Sequence, residues 1–571
     1  MATRPIRSLL LLVPLLVFAV VGALRCEGRS ACDGCISVQP QSQARAPLTL
    51  AVSEAALASF GDGLRADGVV LQVVADGAAA LTAVRAETAN AALFYAAGGA
   101  ELSGLSVRTV PGGPVYALVP FTFPVEGITS VQARALAGGS LRSWSEAGGP
   151  ELAVRTAIQD VAAVSSATGG PAQAMAGIPA DLAALDQRGA ILFTSESNGG
   201  PLSKRLRIDG LLPGEPEYPL DTRWSLAVRA TDRGLEQRIH LPDPTARASE
   251  AEIVLDATGD IMLGRDVGRQ VAAQGARYPF EAVAPLLAGS DIRFGNLELP
   301  LTERGQAARK DYVFRAPPSS VEGLSAAGFN VLSFANNHAV DYGTEGLLDT
   351  LDTLARAGIL QTGAGRNAAE AHAPAIMTVK GLRVAFLAYV NTPNDGVSGW
   401  QARGMEAGAS KAGVAWGTAD GVRRDVVAAR AHADLVIVAV HAGAEYLTQV
   451  NAVQRELAYA AVDAGAVLVL GAHPHVLQGI EVYKRVPIVY SLGNFIFDFD
   501  DDDRRQPGLP SALSGVLRLR LGREGVRSLE FRPAVIDQRQ LRPLPVSGVQ
   551  ARPVYERLYS LTDALNPVRG R

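Results

Sequence analysis

The feature that most constrains the fold is a series of short apolar runs between residues 252 and 498, each followed by polar residues. Helical segments fit between several of these runs, including residues 345–357 and 452–464. Apolar runs that alternate with helices indicate an α/β unit. The runs are "EIVLDATGD", "DIRFGNLEL", "NVLSFANNH", "RVAFLAYV", "DLVIVAVHAG", "AVLVLGAHPH" and "PIVYSLGNFIFD".

A second alternation of this kind occupies the chain between residues 48 and 230. Its runs include "LTLAVS", "VVLQVVAD", "AALFYAA" and "AILFTSES", and the helical stretches between them include "VQARALAGG" and "MAGIPADLAALDQRG". This pattern predicts an α/β domain with a largely parallel sheet. Further along, residues 515–534 alternate apolar and polar side chains around a Gly-containing turn, which predicts a β-hairpin. We therefore predict two α/β domains, 47–235 and 252–545, and a short helix and tail at 546–571.

Residues 1–35 have the composition of an export signal or a membrane anchor. Arg4 and Arg7 precede the apolar run at 8–24, which is slightly short for a membrane span, so a cleaved signal and a retained anchor both remain open. Cys26 also leaves a lipoprotein open, although the residue before it is unlike a lipobox. In each case we expect the rest of the chain to lie outside the cytoplasm. The three cysteines all fall in this segment, at Cys26, Cys32 and Cys35.

The charge pattern excludes one large class of function. The formal net charge is −4 over 571 residues, and the arginines are scattered instead of forming a basic face. Nucleic-acid-binding domains carry such a face, so we expect no nucleic-acid partner.

Polar side chains that can bind metal follow the apolar runs of the second unit. In an open α/β sheet, residues just beyond successive strand ends converge on one rim, where ligands bind. Carboxylate, amide and imidazole groups suit divalent cations, and two cations that share a carboxylate form a clamp for displacement at phosphorus. The H-x-H spacing of His473 and His475 points both rings to one side of an extended segment, which Pro474 stiffens. The candidate ligands are Asp260, Glu298, Asn337, His441, His473 and His475.

Some of these residues also have a structural explanation. A single histidine after a strand is more often structural than metal-bound, and Asn336 with Asn337 could simply form a turn. Only seven histidines occur in the chain, however, and His338, His441, His473 and His475 all stand in this context. That concentration favours a shared site.

Six motifs follow one another in the second unit. They are "GDIMLGR", "GNLELPLT", "ANNHAVDYGTEGLLDTL", "HAGAEY", "GAHPHVLQGIE" and "YSLGNFIFD". Together they resemble the capsule-synthesis CapA family, which is associated with poly-gamma-glutamate biosynthesis and export and resembles a branch of the calcineurin-like metallophosphoesterase superfamily. The resemblance covers residues 252–540 and implies a calcineurin-like sandwich fold.

The resemblance implies roles for individual residues. Asp260 matches the first metal aspartate of the superfamily, and Glu298 occupies the place of the aspartate that bridges two metals. Asn337 matches a metal ligand, and His338 matches the histidine that acts on the leaving group as a general acid. The three later ligand histidines correspond to His441, His473 and His475.

The resemblance also implies partners for the site. The expected cofactor is a divalent cation, Mn²⁺ or Mg²⁺, and the expected ligand is an anionic polymer or a small molecule that contains phosphate. A membrane capsule-synthesis complex is a further expected partner. Side chains expected to support the ligands from outside are Asn296, Asn336, Glu445, Glu481 and Asn494.

Met262 departs from the superfamily pattern. It stands where a histidine is usual two residues after the aspartate, and a thioether is a poor ligand for Mg²⁺ or Mn²⁺. One of the two cation positions is therefore expected to be weak or empty.

The N-terminal region resembles phosphate-type periplasmic solute-binding proteins in two stretches, residues 116–149 and 206–230. Such folds bind their ligand in a cleft between two lobes. Ser165, Ser166 and Thr168 could begin a helix whose amides hold an anion, but a plain helix cap explains them better.

Two functions remain open from the sequence. The first is an exported protein of capsule or extracellular polymer assembly with a metal-dependent, hydrolytic site. The second is a non-enzymatic scaffold, in which the first domain recognises an anion and the second is an inactive phosphatase relative.

Overall fold

In this computed structural model, the described residues are 47–53, 56–57, 60, 64, 69–95, 102–173, 188–196, 199–239, 241, 252–394 and 401–566. The predicted export segment, with its cysteines, and most of the helical stretch predicted at 175–189 lie outside these residues. Within the described part of the chain, no helix combines the length and apolarity needed to cross a membrane.

The N-terminal region is built on two main sheets, beside the two-stranded pair β10–β6. One main sheet has five strands in the order β2-β1-β3-β11-β4, and the other has four in the order β7-β8-β5-β9. The helices are α1 (Gly77–Arg85), α2 (Ser130–Ala137), α3 (Val161–Thr168) and α4 (Leu235–Arg238). The strands are β1 (Leu48–Ser53), β2 (Val69–Val74), β3 (Ala91–Tyr95), β4 (Leu105–Pro114), β5 (Tyr116–Pro120), β6 (Gly127–Ile128), β7 (Arg155–Ile158), β8 (Ala190–Thr194), β9 (Ser203–Arg205), β10 (Arg207–Ile208) and β11 (Asp221–Arg229).

These sheets are mixed, so the expectation of a largely parallel sheet is wrong for this region. Strand β1 pairs in parallel with β2 and β3, and β7 pairs in parallel with β8. Strand β11 is antiparallel to β3 and β4, and β5 is antiparallel to β8 and β9. The chain passes from β4 to β5 through a single residue, whereas parallel neighbours need a long crossover. It then returns from the second sheet as β11, in the opposite direction to both of its neighbours.

The serines and threonine considered for an anion site lie at the wrong end of their helix. The N-cap of α3 is Asp160, whose side chain accepts a hydrogen bond from the amide of Ala163. Ser165, Ser166 and Thr168 therefore sit in the second half of the helix, so both the anion-site and the helix-cap interpretations are wrong. Thr168 Oγ1 donates to the carbonyl of Val164 at 2.8 Å.

The C-terminal region is built on an eight-stranded and a six-stranded sheet. Its strands are β12 (Ile253–Ile261), β13 (Ile292–Leu297), β14 (Val331–Ser333), β15 (Leu360–Thr362), β16 (Ala364–Gly365), β17 (Ala375–Val379), β18 (Leu382–Asn391), β19 (Gly413–Val414), β20 (Leu435–Ala442), β21 (Leu468–Ala472), β22 (Ile480–Tyr483), β23 (Val486–Val489), β24 (Asn494–Ile496), β25 (Leu513–Gly522), β26 (Gly525–Asp537) and β27 (Arg542–Pro545). Its helices are α5 (Arg265–Gln274), α6 (Tyr278–Glu281), α7 (Ala284–Leu287), α8 (Val321–Ala326), α9 (Gly343–Arg356), α10 (Ala368–Ala371), α11 (Ala419–Arg430), α12 (Ala452–Ala464), α13 (Asp501–Arg505) and α14 (Gly548–Leu565).

The predicted helices and hairpin of this region are confirmed by α9, α12 and the antiparallel pair β25–β26. Local chemistry sets the ends of α12. The Asn451 side chain accepts from the amide of Gln454, and Gln454 Oε1 accepts from the amide of Asn451. The helix ends at Gly465, whose φ of 105° lies in the left-handed region that glycine adopts without steric cost.

The two sheets pack face to face around one apolar core. Phe294 from β13 and Phe386 from β18 stack across it, with ring centroids 5.8 Å apart and an interplanar angle of 10°. On the other face of the six-stranded sheet, Val426 of α11 and Leu457 of α12 pack against Val438 of β20. Burial of such side chains contributes about 2 kcal/mol each, so the six-stranded sheet is stabilised by apolar packing on both faces.

Strand register brings the polar strand ends into line. The eight-stranded sheet pairs Asp260 with Asn296 on one side and with Asn494 on the other. In the six-stranded sheet, His441 pairs with Ala472, directly before His473. The carboxyl ends of the parallel strands in both sheets therefore lie along one edge of the sandwich.

The last described helix is longer than the short helix expected from the sequence. Helix α14 has 18 residues, and its buried face includes Val554, Tyr555 and Leu558. Thr562 Oγ1 accepts from the amide of Ile480 at 3.1 Å, which ties the helix to β22.

The N-terminal region contacts the C-terminal region through its four-stranded sheet. Phe121 is 2 % exposed and belongs to the apolar core of the C-terminal region. Arg205 of β9 forms a two-pronged ion pair with Glu252, with N–O distances of 2.8 and 2.6 Å. The neighbouring Lys204 donates from Nζ to the carbonyl of Phe123 at 2.5 Å.

Candidate metal centre

The edge where the two sheets meet carries two overlapping groups of metal-ligating side chains. One group is Glu298, His441 and His473, and the other is Asp260, Glu298 and His475. Within each group, one ligand atom from every residue lies within 4.8 Å of the others, and all of these residues are buried. Glu298 belongs to both groups, as expected of a carboxylate that two cations share.

Distances within the groups show how tightly the side chains converge. His441 Nε2 lies 3.5 Å from Glu298 Oε1, and His475 Nε2 lies 4.0 Å from the same oxygen. His475 Nδ1 lies 3.5 Å from Asp260 Oδ2. Glu298 and Asp260 come from the eight-stranded sheet and the histidines from the six-stranded sheet, so the centre bridges the two.

The polar atoms of this centre fit a divalent cation. Both carboxylate oxygens of Glu298 and Nδ1 of His473 are buried and have no hydrogen-bond partner among the described residues. Buried polar atoms are almost always paired, and an isolated buried charge costs several kcal/mol. Burial, with the charge of Asp260 beside it, raises the pKa of Glu298 well above its usual value. A cation with carboxylate and imidazole ligands would satisfy these atoms and offset the repulsion.

Asn337 extends the first group to four donors. Its Oδ1 lies 2.8 Å from His441 Nε2. Two ligands of one cation at right angles, each at about 2.1 Å, have a similar separation of about 3 Å. Burial lowers the pKa of His441 and His473 well below the usual range, so both rings are neutral, as metal ligands must be.

Met262 supplies no fourth donor to the second group. Its side chain is fully buried, and its sulfur accepts a hydrogen bond from the amide of Gly264 at 3.1 Å. The thioether is thus engaged by its own turn, and the second group keeps three protein ligands, Asp260, Glu298 and His475.

The H-x-H segment was expected from the sequence to be extended, and this expectation is wrong. His473 and His475 have φ values of 98° and 56°, both in the left-handed region that disfavours residues with a Cβ. Their rings still converge, with centroids 6.2 Å apart. Backbone strain of this kind costs of order 1–3 kcal/mol per residue and is concentrated at functional sites.

Three asparagines support the ligands. Asn296 Nδ2 donates to Asp260 Oδ1 at 2.9 Å and lies 3.3 Å from His441 Nδ1, so this side chain links both groups. Asn494 Oδ1 lies 2.8 Å from His475 Nδ1 and orients that ring. Asn336 supports Asn296, whose Oδ1 accepts from Asn336 Nδ2 at 3.2 Å.

The two glutamates expected in the same supporting role do not hold ligand histidines. Glu481 accepts hydrogen bonds from the hydroxyls of Tyr459 and Tyr490, at 2.7 and 2.6 Å. Glu445 is exposed, and its charge contributes to the raised pKa of Glu298 without a hydrogen bond to a histidine in the described part of the chain. Nearness in sequence to a ligand was a weak signal because the chain turns away after each strand.

His338 lies beside the centre and is held by residues that the sequence analysis missed. Its Nδ1 is 2.7 Å from Asp341 Oδ2, and its ring stacks on Phe314 with centroids 4.0 Å apart. Burial, followed by the charge of Lys310, lowers the pKa of His338 well below its usual range. Asp341 follows the "NNH" motif by three residues, which is the one signal in the sequence that could have found it.

An ion pair at the rim was also missed. Arg265 Nη2 lies 2.6 Å from Asp498 Oδ1, and the guanidinium stands 5.3 Å from the centroid of the Phe314 ring. Arg265 has a φ of 48°, another non-glycine residue in the left-handed region. Arg265 begins α5, shortly after β12, and Asp498 lies two residues after the end of β24.

Comparison with known proteins gives a consistent family. Residues 254–499 match the family model described as bacterial capsule synthesis protein PGA_cap. The chain is similar to "Capsule biosynthesis protein CapA" of Bacillus anthracis, with 33% identity over 330 residues, which cover 56% of this chain and 76% of the relative. It is also similar to "PGA biosynthesis protein CapA" of Bacillus subtilis, with 36% identity over 291 residues, 50% of this chain and 72% of the relative.

A solved structure is similar to part of the chain. It is an ABC-type phosphate transport receptor from Vibrio cholerae, with 13% sequence identity and a TM-score of 0.28, covering 34% of this chain and 91% of the receptor. A TM-score this low supports no inference.

Proposed function

Since the chain belongs to the PGA_cap family of bacterial capsule synthesis proteins, we propose that it acts in the synthesis or export of a capsule polymer of the poly-gamma-glutamate type. In this proposal the protein is a metal-dependent hydrolase of an anionic polymer or of a phosphate-containing precursor. The cofactor is Mn²⁺ or Mg²⁺.

The shared carboxylate is the observation that supports this proposal most strongly. Glu298 is fully buried, belongs to both ligand groups, and has two oxygens without a hydrogen-bond partner among the described residues. A purely structural carboxylate in this position would be paired with a donor or a cationic side chain. Its isolation makes sense if it holds cations.

The surrounding residues have separate tasks in the proposed reaction. A divalent cation in this centre would supply polarisation of the scissile group and a bound water of lowered pKa. Asp260, Glu298, Asn337 and the three histidines would hold the cation at the edge of the sheets, and Asn296 and Asn494 keep the ligands oriented. His338 donates a proton to the leaving oxygen, and Asp341 accepts from its Nδ1 and fixes the direction in which Nε2 points.

The proposal includes an organisation for the whole chain. Residues 252–545 would form the calcineurin-like catalytic domain, and residues 47–235 a solute-binding-like domain that recognises an anion. The family relatives are named for capsule and PGA biosynthesis, which supports an extracytoplasmic place for this chain beside a membrane capsule-synthesis complex.

Metal analysis and turnover of the full chain test the proposal together. We expect bound Mn²⁺ or Mg²⁺, and hydrolysis of a model phosphodiester or of poly-gamma-glutamate that stops when the metal is removed. His338→Ala should keep its metal content but lose at least about 100-fold in turnover, the usual contribution of a positioned proton donor. Metal binding without any turnover would contradict the hydrolase and support the non-enzymatic scaffold. Three protein ligands in the second group, where Met262 is engaged elsewhere, are the observation that favours this alternative.

A further inference from the structure

A lysine outside the ligand groups touches three of the residues that the proposed reaction uses. Lys310 comes from the loop between β13 and α8, and its side chain is only 6 % exposed. Its Nζ donates to the backbone carbonyl of Asn337 at 2.9 Å and lies 2.5 Å from Asp341 Oδ1. The same nitrogen is 3.2 Å from His338 Nδ1. One ammonium group therefore contacts a candidate metal ligand, the proposed proton donor and the partner of that donor.

Asp341 depends on this lysine to remain in place as a carboxylate. Its side chain is fully buried, and its other oxygen accepts from the backbone amide of Phe314 at 2.7 Å. Burial raises the pKa of Asp341 to about 7, and the charge of Lys310 opposes that effect. Removal of one partner from a buried ion pair leaves an uncompensated charge, which is strongly destabilising.

The contacts of His338 Nδ1 assign the position of its proton. A lysine ammonium can only donate, whereas a carboxylate can only accept. The contact with Asp341 is the shorter, 2.7 Å against 3.2 Å, and a charge-assisted hydrogen bond to a carboxylate has this length. Nδ1 therefore carries a proton that it donates to Asp341, and Nε2 is the nitrogen left for the reacting group. Phe314 stacks on the ring and prevents it from turning.

We propose that Lys310 is a positioning residue of the metal centre: it fixes Asp341, and through Asp341 the Nδ1–H tautomer and the orientation of His338, while its bond to the Asn337 carbonyl holds that ligand against His441. The inference rests on the proposed hydrolytic function. It adds that the substrate is an ester whose leaving group is a strongly basic alkoxide, such as that of a sugar or alkyl alcohol. Such a group needs the proton that a fixed His338 supplies, whereas an acidic phenol leaves without it.

The proton balance of this step is simple. Water adds to the phosphorus and the bond to the leaving oxygen breaks, so the ester becomes a phosphate and an alcohol. In the Nδ1–H tautomer Nε2 of His338 carries no proton, so Nε2 first accepts one from the attacking water and then gives it to the leaving oxygen. Lys310 exchanges no proton in this sequence.

Lys310→Met in the full chain is the central test, with Lys411→Met as its control. Lys411 also donates to a backbone carbonyl, that of Gly404, and lies in an exposed loop. With dibenzyl phosphate, whose leaving group is a basic alkyl alcohol, we expect Lys310→Met to lower kcat by about 10- to 100-fold with little change in KM. With bis(p-nitrophenyl) phosphate, whose leaving group is more acidic, the loss should be under about threefold. Lys310→Arg keeps a cation beside Asp341 and should retain more activity than the methionine variant. Equal losses on both esters would overturn the positioning role.

A second measurement separates this inference from the proposed function. In metal-free protein labelled with ¹⁵N-histidine, the Nδ1–H signal of His338, assigned by its loss in His338→Gln, should shift or disappear in Lys310→Met and persist in Lys411→Met. An unchanged signal would refute the inference even if the enzyme is active. If the wild-type chain hydrolyses no ester with any metal, the proposed function fails, and the tautomer measurement still decides the role of Lys310.

Discussion

The side-chain oxygen of Asn337 lies 2.8 Å from Nε2 of His441, although 104 positions separate the two residues in sequence. Asn337 follows β14 of the eight-stranded sheet, and His441 lies in β20 of the six-stranded sheet. The contact therefore depends on how the two sheets pack, and it completes the ligand group of Glu298, His441 and His473.

In the proposed two-cation centre the two groups share only Glu298, so binding of the two cations should respond to different substitutions. We expect His441→Gln to lower the affinity for the cation of its own group by about 10- to 100-fold and to leave the affinity for the other cation nearly unchanged. Asp260→Asn should have the reverse effect. Isothermal titration with Mn²⁺ measures both. His372→Gln is the matched control, since His372 pairs with Asp425 away from the centre. Parallel loss of both cations in each variant would show that the groups act as one site.

Asn494 should matter to only one of the cations. Its Oδ1 orients His475 through Nδ1, and His475 belongs to the group with Asp260. Asn494→Ala is expected to lower the affinity for that cation by about tenfold. Asn296→Ala should lower the affinity for both cations, because Asn296 touches Asp260 and His441. Binding isotherms in which the two variants look alike would contradict this division.

Glu298→Gln should separate metal binding from stability. The amide replaces a fully buried carboxyl group whose ionised form burial disfavours, so metal-free protein is expected to gain about 1–3 kcal/mol in its free energy of unfolding. The same variant should lose the stabilisation that added Mn²⁺ gives the wild type. Urea unfolding with and without Mn²⁺ tests both statements, and a less stable metal-free variant would count against an unpaired carboxylate.

A buried ion pair outside the centre allows a stability test of the sandwich. Arg518 contacts both oxygens of Asp256 at 2.7 Å, with side-chain exposures of 8% and 0%. Arg518→Met should cost about 3–5 kcal/mol, because it leaves the Asp256 charge buried and unpaired. The double variant Asp256→Leu with Arg518→Met should recover most of that loss in urea unfolding. An additive double variant would rule out the pair as the cause.

Lys204, whose charge lies near that of Glu530 in the C-terminal region, gives the stability of the chain a distinct pH dependence. Burial lowers the pKa of Lys204 from 10.5 to about 8, so between these values the unfolded chain binds more protons than the folded one. Stability contributed by this group therefore rises as the pH increases through that window. The difference in free energy of unfolding between wild type and Lys204→Met should grow in favour of the wild type, by up to about 3 kcal/mol from pH 7 to 10.5. Other lysines and tyrosines titrate in both proteins and cancel, so a constant difference would refute the effect.

The sequence predicted the centre better than its surroundings. Asp260, Glu298, Asn337 and the ligand histidines stand at strand ends, where periodicity and sheet geometry decide position, and the structure brings them together. Lys310 reaches the centre from a long loop, and no sequence pattern shows which way a loop folds back. The prediction that Glu481 supports a ligand histidine was wrong for a related reason. Glu481 lies on the edge strand β22, where its side chain meets two tyrosines.

Strand direction in the N-terminal region and the backbone of the H-x-H segment were also beyond the sequence. Strand β11 runs against its neighbours because of where the chain comes from, which is a property of topology. His473 and His475 adopt positive φ values that their residue types disfavour, so only the packing around them can hold that conformation.

Phe121 sits in an apolar core that is otherwise formed by the C-terminal region, and this has a practical consequence for anyone who dissects the gene. A fragment that starts at residue 252 would expose the apolar surface that Phe121 covers, and Glu252 would lose its bidentate ion pair with Arg205. Such a truncated fragment is expected to aggregate during expression, so assays of the isolated C-terminal region would describe a destabilised protein.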